Sequence, residues 1–419
     1  MVIIFRANFG DKKISSLSEL HPDDQGFDAH AVDAGLSTLL NEDSEFSLPI
    51  FKDFCFSLYS TLHHARGGGS STLSPYMAYL SDDSFRQLLN IQGEQHHLVI
   101  GVVIGSFEIS AIEFSEKQVE IKFLVDANYT EEWEDGVQKS FYSREIWTLS
   151  RNRGVKSRGP KGKQQIQCPA CGSPAKSDLH GVCSACHQLI RSGIYDWFVQ
   201  KVNVLEMSSR PPLLTTTVEE EGNNLPTIYD SRLAELEVQA KAALNIPDFS
   251  LMNQRVQNIF LQLQKCWSLR DLRMLRPFES DSLYETHQYW IEEYKKQKLI
   301  NRLDNIKIYK VDLCKLFLDA HYISATVRIY ASLNDWTESE EGKLICGSKT
   351  SPREFTEYWT LIRSLNFKET KGGFNDCPAC GAPLKVNQAG DCEYCLSKVT
   401  SGEFDWVLSS IEQDEAYLG

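Results

Sequence analysis

Long hydrophobic runs are missing from this 419-residue chain. No apolar stretch approaches the ~20 residues that a membrane-spanning helix needs, so no transmembrane segment is expected. The start, Met1-Val2-Ile3-Ile4-Phe5-Arg6, has a short apolar run but neither the basic lead nor the small-residue cleavage site of a secretory signal. A cytoplasmic location is the expectation. Positive charge is also in short supply. The net charge is -14, which repels a phosphate backbone overall and makes nucleic acid the less favoured partner. A phosphate-cradling loop is absent too, because Gly67-Gly68-Gly69-Ser70 lacks the lysine and preceding strand of a P-loop. His96, His97, Asp312 and His321 form neither a triad nor a paired-carboxylate motif. His321 falls in an alternating strand pattern and reads as structural, while Asp126 and Asp335 are expected to end strands and make turns.

What remains is an ordinary globular composition, 42% hydrophobic and 24% charged, with length for two or three domains. The chain repeats itself, and a repeat governs the architecture. Cys168-Pro169-Ala170-Cys171-Gly172 returns as Cys377-Pro378-Ala379-Cys380-Gly381, 209 residues later. At that same offset Cys183 and Cys186 map to Cys392 and Cys395, and Asp196-Trp197 to Asp405-Trp406. Upstream, Glu145-Ile146-Trp147-Thr148-Leu149 answers Glu357-Tyr358-Trp359-Thr360-Leu361. Further back, Glu45-Phe46-Ser47-Leu48 parallels Asp248-Phe249-Ser250-Leu251. Each precedes apolar residues at helical spacing: Phe51, Phe54, Leu58 and Leu62, then Val256, Ile259, Phe260 and Leu263.

Stretches dense in Val, Ile, Phe and Tyr follow, as half-buried strands require. In the first half they are Leu98 to Ile104, Phe107 to Phe114 and Gln118 to Val125. In the second they are Ile306 to Val311, Cys314 to His321 and Ile323 to Tyr330. Each half therefore reads as helices, an antiparallel meander ending at the Trp-Thr-Leu strand, and a cysteine-bearing ribbon. The expected divisions are an extension at 1–44, a first domain at 45–165 with its ribbon and terminal segment at 166–206, a linker at 207–230, a second domain at 231–375 and its ribbon at 376–419. The linker carries Pro211-Pro212, Thr215-Thr216-Thr217 and Glu219-Glu220-Glu221. Ser231 to Asn245 reads as a new helix. Trp197 and Trp406 are expected to pack in the core rather than serve as exposed anchors.

Eight of the twelve cysteines form two C-x2-C-x11-C-x2-C sets. Zinc takes four tetrahedral ligands, and a C-x2-C knuckle converges two thiolates on one ion while turning backbone N–H groups toward the sulfurs. Cys168, Cys171, Cys183 and Cys186 are expected to hold one structural Zn2+, and Cys377, Cys380, Cys392 and Cys395 a second. Four thiolates leave no open position for a reactive water, so neither site is catalytic. His187 reads as a surface residue because Leu396 stands at its counterpart. Cys55, Cys266, Cys314 and Cys346 read as small buried hydrophobes.

The Trp-Thr-Leu strand, the Cys-Pro-Ala-Cys-Gly knuckle, the second knuckle and the Asp-Trp pair, after helices and a meander, resemble bacterial Tim44-like domain proteins that bear a zinc ribbon. Residues 248–412 match best, including Cys266-Trp267-Ser268 and Leu275-Arg276-Pro277-Phe278. The resemblance implies an α+β fold of the nuclear-transport-factor-like superfamily: two tandem cones, each a curved antiparallel sheet around helices and each followed by a ribbon. It also implies a membrane-peripheral scaffold role, by analogy of fold. Duplication fits a non-enzymatic scaffold for a protein partner, since paired modules raise effective concentration. Two alternatives stand beside it. The run Arg151, Arg153, Lys156, Arg158, Lys161 and Lys163 puts six cations in thirteen residues, a candidate contact for nucleic acid or anionic lipid at a membrane surface. A pocket enzyme of the same superfamily is the other.

Overall fold

The computed structural model describes residues 28–91, 97–159, 166–174, 177–191, 193–209, 214, 225–368, 370–414 and 417–419. The described residues divide into two units, one ending at Ser209 and the other starting at Leu214. Lys161, Lys163, His96 and most of the expected linker fall outside the described residues.

The first unit opens with α1 (Ala29–Glu42), whose cap Asp28 accepts from the N–H groups of His30 and Ala31. Then comes α2 (Leu48–Gly67), with Pro49 in its first turn where no N–H is needed. After two short helical turns, α3 (Asp82–Asn90) starts at Ser81, which forms a reciprocal capping box with Ser84. Four strands complete the unit: β1 (His97–Phe114), β2 (Gln118–Trp133), β3 (Gln138–Asn152) and β4 (Phe198–Ser209). They form one antiparallel sheet in chain order. The second unit repeats this with α4 (Leu233–Leu244), α5 (Ser250–Leu269) and α6 (Asp281–Lys296). Its sheet is β5 (Leu299–Leu318), β6 (Tyr322–Ser339), β7 (Leu344–Ser364) and β8 (Val407–Gln413). The α+β class and the tandem repeat of helices with antiparallel sheets are therefore present.

The long helix of each unit packs on one sheet face. Tyr59 on α2 lies 4.9 Å from the Trp147 ring on β3, and Phe260 on α5 lies 5.4 Å from Trp359 on β7. The buried faces correspond position by position: Phe51 with Met252, Cys55 with Val256, Leu58 with Ile259, Leu62 with Leu263, His63 with Gln264, Arg66 with Trp267. Phe46 and Phe249 also correspond, since each packs on the tryptophan that precedes the fourth strand, Trp197 at 6.5 Å and Trp406 at 6.4 Å. The second unit thus has a shorter link between that phenylalanine and its helix. Trp197 and Trp406 are 4% and 2% exposed, which makes them core residues.

Four details differ from the sequence reading. The stretches separated at Ile104/Phe107 and Val311/Cys314 are single strands, β1 and β5, interrupted by bulges. One bulge sits at Gly101 (φ 59°) and its counterpart at Asn305 (φ 50°), residue types that tolerate the left-handed backbone. Asp126 and Asp335 do not end strands. Asp126 lies within β2 and accepts from Tyr142 at 2.6 Å, and Asp335 is buried within β6 and accepts from Asn301 at 2.7 Å. The ribbon is followed by one more strand of its own sheet, because the cysteines lie between β3 and β4 and between β7 and β8. Residues 225–230 belong to the second unit: Ile228 donates its N–H to Tyr358 Oη at 3.0 Å and Asp230 to the Cys314 carbonyl at 2.9 Å. They cover the sheet face opposite α5, together with Tyr417, whose ring stacks on Tyr358 at 3.8 Å.

Candidate metal centres

Each four-cysteine set is drawn together by two hairpin knuckles. In all four knuckles the first cysteine carbonyl accepts from the N–H four residues on: Gly172 to Cys168 and Gly381 to Cys377 at 2.8 Å, His187 to Cys183 at 3.0 Å, Leu396 to Cys392 at 2.9 Å. Those four residues all have positive φ: Gly172 71°, Gly381 76°, His187 57° and Leu396 58°. The turn therefore needs a left-handed residue after its second cysteine, and only two knuckles supply glycine. His187 is exposed, so its place in the turn is a backbone matter. Backbone N–H groups point at sulfur as well, Ala185 to Cys183 Sγ and Tyr394 to Cys392 Sγ, each at 3.4 Å.

Within each set the four Sγ atoms lie within 4.8 Å of one another, a donor set that can hold a metal ion. None of the cysteines is in a disulfide. Cys168, Cys183, Cys377 and Cys392 are buried, whereas Cys171 and Cys380 are exposed. Burial pushes Cys168 and Cys377 up to about 12. At Cys183 burial is outweighed by the N–H groups of Cys186 and Ala185, which bring it down to about 7. Thiolate character of this kind suits cation binding.

The ribbons are braced against the body of each unit. In the first, Ser177 donates its N–H to the Pro75 carbonyl at 3.1 Å, and Arg191 pairs with Asp82 at 2.6 Å. In the second, the buried Arg276 donates to the Gln388 carbonyl at 2.8 Å, and Lys398 reaches Asp281 at 2.7 Å. Asp82 and Asp281 are the first residues of α3 and α6, where a carboxylate also meets the positive end of a helix.

The described part of the basic run is committed internally. Arg151 is 2% exposed, pairs with Asp43 at 2.8 Å and lies over the Trp197 ring at 4.5 Å. Arg153 pairs with Glu42, Lys156 donates to the Glu42 carbonyl, and Arg158 pairs with Asp196. These four cations tie the loop to the end of α1 and to the approach to β4.

Sequence reasoning missed the polar interior of the first unit. Glu145 is fully buried and accepts from Tyr59 Oη at 3.0 Å, Ser143 Oγ at 2.7 Å and Trp147 Nε1 at 2.7 Å. His63 Nε2 lies 3.4 Å from Glu145, Arg66 pairs with Glu131 at 2.8 Å, and His97 lies 3.5 Å from Glu131. Burial alone would raise the Glu145 carboxyl, but His63, Trp147 and Ser143 outweigh it and bring it down to about 2. In the second unit the corresponding positions are Phe260, Gln264, Trp267, Asn301, Asp335 and Glu357, a largely neutral set. The signal available in the sequence was the repeated Glu-x-Trp, which serves both interiors: Trp359 Nε1 donates to Glu357 at 2.9 Å. The other candidates stay apart. His321 sits in the β5–β6 turn with its N–H on Asp319, and Asp312 pairs on β5 with Lys310 at 2.6 Å.

Comparison with known proteins finds a Tim44-like domain at residues 245–374. That span takes in α5, α6 and β5–β7 and ends just before Cys377. The chain therefore contains a Tim44-like domain, and its first unit repeats the layout. No curated protein matches. Among solved structures, an Ntf2 like protein involved in plasmid conjugation aligns at 9% identity with a TM-score of 0.20, covering 88% of this chain and 99% of that chain. A score that low carries no structural argument. Among the described residues no helix is long and apolar enough to cross a membrane.

Proposed function

We propose that this protein is a non-enzymatic, cytoplasmic scaffold that presents two Tim44-like modules, each pinned by a structural Zn2+ ribbon, to a protein partner. The observation that carries this reading is the repetition of one module, helices on a four-stranded sheet with a four-thiolate ribbon, within a single chain. Residues 168, 171, 183 and 186 would hold one zinc and residues 377, 380, 392 and 395 the other. Zinc is favoured because an all-thiolate, closed donor set matches its structural sites. The ion supplies folding energy to the ribbon, and the cysteines supply every ligand. The non-enzymatic reading is supported by the dispersal of His97, His321 and Asp312 and by the packing of the interior carboxylates against tryptophan. Contact with a membrane surface remains part of the proposal only as a peripheral one, and the internal pairing of Arg151, Arg153, Lys156 and Arg158 argues against the basic loop as its main contact.

The test is an affinity pull-down of the intact, metal-loaded protein from its native extract, read by mass spectrometry beside a Cys377→Ser/Cys380→Ser control. A stoichiometric protein partner is expected, lost or weakened in the control. Recovery of nucleic acid or lipid without protein would overturn the reading.

A further inference from the structure

The two units differ at one arginine in a way that assigns a ligand. Arg151 and Arg363 occupy the same place, closing the Trp-Thr-Leu strand. Both terminal nitrogens of Arg151 are engaged, with Asp43 accepting at 2.8 Å and Ser157 Oγ at 2.9 Å, and Trp197 lies beneath, although its Nε, like that of Arg363, is buried without an acceptor. Arg363 has no such partner among the described residues. Its nearest carboxylate is Asp405, with NH1 to Oδ1 at 3.8 Å, too far for a hydrogen bond, and its Nε is buried without an acceptor. Asp43 lies in the turn between α1 and α2. The turn between α4 and α5 has Asn245-Ile246-Pro247 and no carboxylate before Asp248, which is engaged by the Ser250 N–H at 2.8 Å.

A second cation shares the same carboxylate. Arg255 on α5 approaches Asp405 Oδ2 with Nε at 3.3 Å, and the same Nε donates to the Trp406 carbonyl at 3.3 Å. Two guanidinium groups therefore face one carboxylate, with the nearby Lys368 already paired to Glu403. Burial pushes both arginines down from their ordinary values, as expected where positive charge is undercompensated. Among the described residues this leaves a local excess of one cation, in a chain of net charge -14.

Apolar surface adjoins it. Phe278 and Phe374 flank the Arg255 guanidinium at 4.7 and 5.2 Å, and Phe367 lies 5.3 Å from that of Arg363 and is 37% exposed. Leu251, one helical turn before Arg255, is 73% exposed. A planar guanidinium fork beside aromatic faces fits a carboxylate on a short aliphatic stem.

We propose that Arg255 and Arg363 form a carboxylate-binding site on the C-terminal unit, filled by an acidic side chain of a protein partner where the N-terminal unit uses its own Asp43. The assignment rests on the scaffold reading and names its contact chemistry. The experiment labels the arginines of the intact, metal-loaded protein with 15N and follows their Nε–H resonances. Three probes are titrated: a blocked hexapeptide alternating Glu and Leu, free glutarate, and inorganic phosphate. Saturable shifts of Arg363 and Arg255 with the peptide, none at Arg151, and about ten-fold weaker binding in Arg363→Gln are expected. Arg363→Lys, which keeps charge but lacks the fork, should fall between them. The wild-type sheet signal in circular dichroism verifies folding of each variant.

Shifts that match at Arg151, or affinity unchanged in Arg363→Gln, would overturn the site. Glutarate binding as tightly as the peptide would overturn the partner side chain as occupant, and tighter phosphate binding would overturn the carboxylate. A pull-down separates the two levels. If wild type and Arg363→Gln retain the same partner equally, this site fails while the scaffold stands; if wild type retains none, the scaffold fails.

Discussion

Glu145 and Trp147 are two residues apart on one strand, and the carboxylate of the first accepts the indole N–H of the second at 2.7 Å. The pair recurs as Glu357 and Trp359 at 2.9 Å. In both units a charge that would otherwise be costly inside a core is fixed by a donor from its own strand. The first unit adds Tyr59 at 3.0 Å and Ser143 at 2.7 Å, and the second adds Gln413 at 3.3 Å. Glu145→Ala leaves three buried donors unpaired and should cost about 3 kcal/mol, more than Glu357→Ala. Urea unfolding of the two variants checks the order, and equal losses would refute it.

Acid should destabilise the first unit in two stages. His63 is fully buried and its pKa is lowered, first by burial and then with Arg66 opposing the two carboxylates. A depressed histidine contributes stability above its unfolded value of 6.5, and that stability is lost as pH falls below it. Glu145, lowered from 4.5 to about 2, contributes above 4.5 and loses its contribution as pH falls through that range. His63→Gln, the residue type of Gln264 in the other unit, should flatten the loss between pH 7 and 5 and shrink the loss below 4.5 to the part that Trp147 and Ser143 supply, since His63 helps hold the Glu145 carboxyl down. Thermal melts across pH test this, and an unchanged slope would count against it.

The knuckle backbone predicts a gain from glycine. Leu396 has φ 58° and is 75% exposed, so its side chain strains the turn and is largely in solvent. Leu396→Gly should stabilise the ribbon by about 1 kcal/mol, as should His187→Gly in the other. Hydrogen exchange of the knuckle amides measures it; faster exchange would contradict the strain argument.

Metal content should be two zinc ions per chain, falling to one in Cys377→Ser/Cys380→Ser. Structural zinc contributes on the order of 10 kcal/mol to a small ribbon, so chelation should unfold the ribbon and release β8 (Val407–Gln413) from β7. Elemental analysis gives the count, and exchange protection of β8 reports the coupling. Protection that survives complete metal removal would show that the sheet holds the strand unaided.

The fold was legible where chemistry repeats locally. Cysteine spacing located both four-thiolate clusters, and the repeated Trp-Thr-Leu located the third strand of each sheet, whereas the strand after each ribbon was missed. What escaped depended on long-range geometry. Gly105-Ser106 and Asp312-Leu313 look like breaks because turn-forming residue types also sit beside bulges within one continuous strand. Asp126 and Asp335 look like strand ends because an acid that partners Tyr142 or Asn301 across a sheet cannot be told from a turn former by type. The interior network of the first unit was hidden because His63, Arg66, Glu131 and Glu145 come from α2, β2 and β3 and meet only when these pack.

Placing each ribbon before the last strand of its sheet imposes an order on synthesis. β4 leaves the ribosome after Cys186 and β8 after Cys395. Every thiolate of a unit is therefore available to capture its ion before the strand that finishes the sheet exists. A nascent chain starved of metal would carry an open sheet edge at β3 or β7, the kind of surface that chaperones retain and proteases clear. With metal bound as proposed, metal supply would act as a checkpoint on each half in turn, the N-terminal half passing it first.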